Sequence, residues 1–127
     1  MKRKQLPNRR SHITQKAMIG GVRTLYISVD STTPSELFLR VKQRDVSPEV
    51  IGLYDIVAKL ASLALQYEVP LVKIGQTFIG TRFEPSGPVV GHEHIKFCGS
   101  PVDLIGRHIL IEFCGHAELA HAKKETV

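Results

Sequence analysis

The spacing of apolar residues changes along this chain, and that change restricts the fold more than any other feature of the sequence. Residues 22–29 alternate, with Leu25, Ile27 and Val29 on one face and Thr24, Tyr26 and Ser28 on the other. Successive side chains of an extended strand point to opposite faces, so this run is a half-buried strand. From residue 50 the step becomes three and four, through Val50, Leu53, Tyr54, Val57, Leu60, Ala61 and Ala64. That is the period of a helix face. Strands followed by helices define an α+β class.

The punctuation between these runs sharpens the reading. Gly20-Gly21 supplies a turn tolerant of positive φ, so residues 11–19 and 22–29 form a hairpin. Residues 30–35 (DSTTPS) are turn chemistry, and ELFLRV at 36–41 is a third strand. Ser47-Pro48 places a cap before a proline at the first helical position, opening a helix that runs to about Tyr67. Its stripe, widened by Ile51, Ala58 and Leu65, is broad enough to pack on the sheet and also on another helix or subunit, which predicts a homo-oligomer. Pro70 opens a short second helix carrying Leu71, Ile74 and Phe78, stopped by Gly80. Residues 81–99 have no sustained period and read as a long structured loop. Ser100-Pro101-Val102-Asp103 makes a capping box for a third helix with Val102, Ile105, Ile109 and Phe113, ending at Gly115. The expected fold is an antiparallel β-meander of three to four strands packed against three helices.

Composition bounds the rest. At 127 residues the chain is one domain. No run approaches the roughly 20 apolar residues of a membrane span, and no apolar segment follows the basic start as in a secretory signal. The two cysteines, Cys98 and Cys114, form no CxxC pair, so free thiols and a cytoplasmic, reducing compartment are expected. The net charge of +5 belongs entirely to Lys2, Arg3, Lys4, Arg9 and Arg10, because the rest of the chain holds twelve bases and twelve acids. The expected organisation is a solvated basic arm (1–10), one domain (11–121) and a short tail (122–127). The arm is suited to nucleic-acid phosphates but has no interleaved aromatics for base stacking.

Several stretches carry a resemblance: LPNRR (6–10), GGVRTLY (20–26), SELFL (35–39), AKLASLALQYEVPL (58–71), IGTRFEPSGPVVGH (79–92), GSPVDLIGR (99–107) and ELAH (118–121). Together they resemble the TSCPD domain, the small module near the C-terminal end of vitamin-B12-dependent ribonucleotide reductases, with standalone relatives that include phage proteins. The family's Thr-Ser-Cys-Pro-Asp segment reads Gly99-Ser100-Pro101-Val102-Asp103 here, so the two cap residues are kept and the thiol is lost. Glu68 stands where relatives usually have glycine, at a cost of about 1 kcal/mol if that position is left-handed. The resemblance does not bring reductase chemistry. That chemistry needs a thiyl-forming cysteine, a redox pair and a cobalamin site, which in the family lie on a large barrel domain.

The RFEPSGP loop is the first candidate ligand site. Arg82 offers a planar donor fork to phosphate, Phe83 a face to a base, Glu84 an acceptor to a ribose hydroxyl, and Gly87 a backbone amide. The alternative is that Arg82 pairs with Glu84 while Phe83 fills the core. Arg107 either faces a phosphate beside Arg82 or pairs with Asp103 one turn earlier. Arg23 and Arg40 join the same pocket if their strands point them to one side. His92, His94, Cys98, Cys114 and His116 supply enough donors for zinc, but their spacing matches no common zinc motif, so no metal and no cofactor is expected. No serine sits in a hydrolase nucleophile context.

These readings predict a non-catalytic accessory module of nucleotide metabolism, binding a nucleotide, another phosphorylated small molecule or a ribonucleotide reductase subunit. Two alternatives stand beside it: a phage-type protein that sequesters a nucleotide signal, and nucleic-acid binding through the arm.

Overall fold

A computed structural model describes residues 2–31, 34–42, 44 and 46–120. The sheet has five antiparallel strands: β1 (His12–Ile19), β2 (Arg23–Asp30), β3 (Leu37–Val41), β4 (Gly87–Val90) and β5 (Phe97–Cys98). Their order is β3-β2-β1-β4-β5, so the meander expected from the sequence forms one half. The other half comes from the segment that reads as a loop. Two- and four-residue strands interrupted by Gly91 and Pro88 are too short to show a period, which is why the sequence hides them. The three helices are α1 (Pro48–Gln66), α2 (Leu71–Phe78) and α3 (Pro101–Cys114), followed by a 3-10 turn at Ala117–Leu119.

The register of β1 and β2 pairs Ile19 with Arg23, Ala17 with Leu25 and Gln15 with Ile27. Residues facing each other across a ladder share a face, so the odd-numbered side chains form the inner face. Ala17, Ile19, Leu25, Ile27, Val29, Leu37, Val41 and Val89 are all buried there, against Tyr54, Ala61 and Leu65 of α1 and Leu104, Ile105 and Ile109 of α3. The helices therefore cover one side of the sheet.

Within α1 the buried line is Tyr54, Ala58, Ala61 and Leu65. Leu53 and Leu60, assigned to the inner face by their spacing, are instead 59% and 62% exposed. The stripe is wider than the sheet can cover, and the surplus points outward. The same helix seals the outer edge of β3: the Ser62 hydroxyl accepts from the Leu37 N–H and donates to the Leu37 carbonyl. An edge strand covered this way offers fewer free backbone groups to a stray strand.

Helices α2 and α3 approach through two glycines. A Cβ at Gly106 would lie 2.6 Å from the Ile79 nitrogen, and one at Gly75 would lie 2.7 Å from Leu110. Glu68 has φ of 69°, so the left-handed position foreseen after the LQY run is occupied by a non-glycine residue.

Candidate functional site

Asp103 organises the region that joins the central connection to α3. Ser100 caps the helix by accepting from the Asp103 N–H at 2.9 Å. The carboxylate reaches past the cap expected of a capping box and accepts from the backbone N–H groups of Gly99 (2.8 Å) and Gly80 (2.7 Å). It also accepts from Arg107 Nε at 3.1 and 3.0 Å, the i,i+4 pair anticipated from the sequence. Arg107 then donates to the Leu119 carbonyl at 2.9 Å. Asp103 is 1% exposed, so this is a buried charge compensated by one guanidinium and two amides.

The RFEPSGP loop hangs from this hub. The Thr81 hydroxyl lies 2.8 Å from Ser100 Oγ, and the Phe83 N–H donates to the Gly99 carbonyl at 3.1 Å. Arg82, Phe83 and Glu84 are exposed on this pinned backbone, Phe83 to 50%. Phe83 thus does not fill the core. The Arg82 stem runs beside Gly99, where a Cβ would meet its Cγ at 3.4 Å. Gly87 is buried in β4, where it pairs with Cys98 of β5 rather than facing open solvent.

The remaining arginines separate. Arg23 lies on the inner face and donates to Tyr54 Oη at 3.2 Å, while its buried Nε has no partner. Arg40 lies on the outer face, stacked over Tyr26 at 4.3 Å from the ring centroid. The sheet stands between them, so they do not line one pocket. The β2–β3 register sets this, since Ile27, opposite Leu39, and Tyr26, opposite Arg40, point to different sides. Arg107 is bonded to Asp103, the Arg82 stem passes beside Gly99, and Arg23 and Arg40 stand on opposite faces of the sheet.

The five donors weighed for zinc form no cluster among the described residues, and the structure assembles a different group: His92, His108 and Glu112. His92 Nδ1 accepts from the N–H groups of His94 and Ile95, so its proton sits on Nε2 and is donated to His108 Nδ1 at 3.0 Å. His108 in turn carries its proton on Nε2, which is buried without a partner. An ion on His92 Nε2 would require that ring's proton on Nδ1, pointing at two amide donors. The pair is a locked couple of neutral imidazoles. Burial pushes the His108 pKa down to about 3, assisted by His92, and burial likewise lowers that of His92. Sequence spacing alone could not reveal this pair, because its members are sixteen positions apart, across part of the β4–β5 turn and a helix start.

Both thiols are poor nucleophiles. Burial raises the Cys98 pKa to about 11, and burial also raises that of Cys114. Both are free. The basic arm is docked, contrary to the solvated arm expected. Arg3 Nε donates to Gln66 Oε1 at 2.7 Å, Lys4 Nζ to Ser35 Oγ at 3.1 Å, and Arg10 clasps both oxygens of Glu36 at 2.6 and 2.8 Å. The tail at 122–127 lies outside the described residues. Among the described residues, no helix is long and apolar enough to cross a membrane.

A five-stranded antiparallel sheet, three helices on its inner face and a Ser-Pro-x-Asp cap tied to an RFEPSGP loop define a small α+β module. The model of the TSCPD domain matches residues 1–112, and the chain belongs to that family. It is 35% identical over 125 residues to a vitamin B12-dependent ribonucleotide reductase of Bradyrhizobium diazoefficiens, covering 94% of this chain and 10% of that protein. The reductase of the same name from Agrobacterium fabrum is 34% identical, with 94% of this chain and 9% of that protein covered. The one from Rhodopirellula baltica is 33% identical over 88% of this chain and 11% of its own length. The chain thus spans about a tenth of the curated relatives it matches. No solved structure matches it.

Proposed function

We propose that this domain is a non-catalytic accessory module of nucleotide metabolism, binding a nucleotide or a ribonucleotide reductase subunit through the exposed side chains of the RFEPSGP loop. The observation that carries the reading is the presentation of Arg82, Phe83 and Glu84 outward from a backbone pinned to Ser100, Gly99 and Asp103. A rigid loop with a cation, an aromatic face and a carboxylate recognises phosphate, base and ribose hydroxyl without large ordering costs. Recognition is the role that this geometry suits, and the two thiols, raised in pKa by burial, add no ready nucleophile to it. Arg107 serves as a positioning residue, since its guanidinium holds the carboxylate on which the loop backbone hangs.

Calorimetric titration with ribonucleoside and deoxyribonucleoside di- and triphosphates tests this. A saturable heat weakened about tenfold by Arg82→Ala supports it, as does capture of a B12-dependent reductase that Phe83→Ala abolishes. Silence in both assays rejects it.

The same reading includes a homodimer through α1. Leu53, Ile56, Leu60 and Leu63 are 59%, 50%, 62% and 40% exposed and recur at steps of three, four and three. That spacing reads the same in both directions, so a second copy laid antiparallel sets Leu53 against Leu63 and Ile56 against Leu60. An isologous twofold contact requires this self-matching. Leu60→Lys is expected to convert dimer to monomer in analytical ultracentrifugation; a wild-type monomer at high concentration sinks the dimer.

A further inference from the structure

The sheet face opposite the helices carries a pattern that the loop reading does not use. The register sets Lys16, Tyr26 and Arg40 in one transverse row across β1, β2 and β3, and Thr14, Ser28 and Phe38 in the next. Arg40 lies 4.3 Å and Lys16 5.8 Å from the Tyr26 ring centroid, so two cations converge on one half-buried aromatic. Neither makes an ion pair with a described carboxylate. Phe38 is 52% exposed, with His12 packed against it at 5.3 Å between ring centroids. Thr14, Tyr26, Ser28, Phe38, Leu39 and Arg40 enclose a shallow cavity of about 250 Å³. The acids of this face stand at one corner and are already engaged. Asp30 accepts the N–H groups of Ser35 and Glu36, and the Glu36 carboxylate is held by Arg10 and His12.

We propose that this outer sheet face is a platform for single-stranded nucleic acid, with a base stacked on Phe38 and phosphates on Lys16 and Arg40, which Tyr26 holds in place from below. The charge argues for the occupant. The chain beyond its arm is neutral, yet the middle of this face has cations without acids, which favours a polyanion over a peptide or a second copy. Flatness argues for a strand over a free nucleotide. An open sheet offers stacking surfaces and hydroxyls side by side but no walls, and single strands bind by that combination. Lys42, whose N–H bonds the Thr24 carbonyl one step beyond β3, extends the cationic row along the strand by two residues. That step is about 6.8 Å, suited to successive phosphates of an extended strand. The arm is the lesser contributor, because Arg3, Lys4 and Arg10 are bonded to the domain.

The test is fluorescence anisotropy of the full chain with a labelled 15-nucleotide oligothymidylate, a 15-nucleotide oligouridylate, a duplex of the same length and unlabelled mononucleotides as competitors. Binding of single strands with a log–log salt slope of roughly −1.4 to −2.1, two phosphate contacts or three with Lys42, is expected. Arg40→Glu and Phe38→Ala should each weaken it at least tenfold while the thermal melting curve stays in place. Lys16→Glu is a second charge variant, so failure of one protein to fold does not remove the test. Absence of binding at low salt overturns the proposal, as do equal affinity for the duplex, loss on deleting residues 2–10 but not in the sheet variants, or displacement by a mononucleotide at equal concentration. The Arg82 titration above is unaffected by any of these results, so the two proposals fail separately.

Discussion

Two regions of this molecule hold an arginine against the fold, and they use its charge differently. At the Asp103 hub, Arg107 is spent on a buried carboxylate that also collects the N–H groups of Gly80 and Gly99. On the outer sheet face, Arg40 and Lys16 rest on Tyr26 with no described acid to neutralise them. The first arrangement holds three segments of chain together, and removing a member leaves a charge in a place without water. The second holds nothing together. An arginine's residue type is therefore a poor guide to its role; what its charge is paired with decides.

The sharpest way to break this contrast is Asp103→Ala. Arg107 would be left without its carboxylate, the N–H groups of Gly80 and Gly99 would lose their acceptor, and the loss is expected to reach about 4 kcal/mol. Urea denaturation should show a midpoint far below the wild type with an unchanged slope. A small shift would mean that the hub is no more structural than the sheet face. The His92–His108 couple offers a second probe of the buried side. Both imidazoles are lower in pKa when folded than the ordinary 6.5, so the unfolded chain binds more protons as pH falls. Their stabilising share is complete above about pH 6.5 and drains away below it, continuing toward pH 3 for His108. Between pH 6.5 and pH 5 the His108 share alone is about 2 kcal/mol, read as a falling denaturation midpoint. A flat profile over that window would show that the couple takes up its proton without unfolding.

How much of this was legible in the sequence follows the same division. The hairpin, the third strand and the starts of α1 and α3 are local matters of period and cap chemistry, and residues 22–29, Ser47-Pro48 and Ser100-Pro101 declare them. The Asp103–Arg107 pair is also local, being one helical turn. What sequence concealed is long-range. β4 and β5 exist because Met18 and Ile19 offer an edge to Val90 and Val89, and two- to four-residue strands carry no period of their own. The separation of Arg23 from Arg40 depends on register, which one residue of slip reverses. His108 finds His92 only after the β4–β5 turn folds over α3. The arm's docking on Gln66, Ser35 and Glu36 joins residues far apart in sequence, and composition alone made the arm look solvated.

A smaller effect comes from Glu68, which has φ of 69° at the end of α1. Glu68→Gly removes the steric cost of a side chain in the left-handed region, and a gain of roughly 1 kcal/mol is expected, less the extra freedom glycine has when unfolded. Thermal unfolding checks it. An unchanged or lowered midpoint would mean that the denatured-state term cancels the relief.

The smallest expected change in stability is the most informative about the contrast. Phe38→Ala and Arg40→Ala alter exposed side chains of an edge strand that is tied to β2 on one side and, at Leu37, to Ser62 on the other. Phe38 touches His12, and Arg40 covers Tyr26, so some contact is lost, but each group moves from one partly hydrated setting to another. The expected cost is about 0.5 kcal/mol for either, within the range of ordinary surface substitutions. Asp103→Ala and these two variants should thus differ by several kcal/mol although each touches an arginine or its neighbour. If Arg40→Ala instead destabilised the fold as strongly as the hub variant, the cation over Tyr26 would be a structural clamp, and the open face would have no charge to offer a ligand.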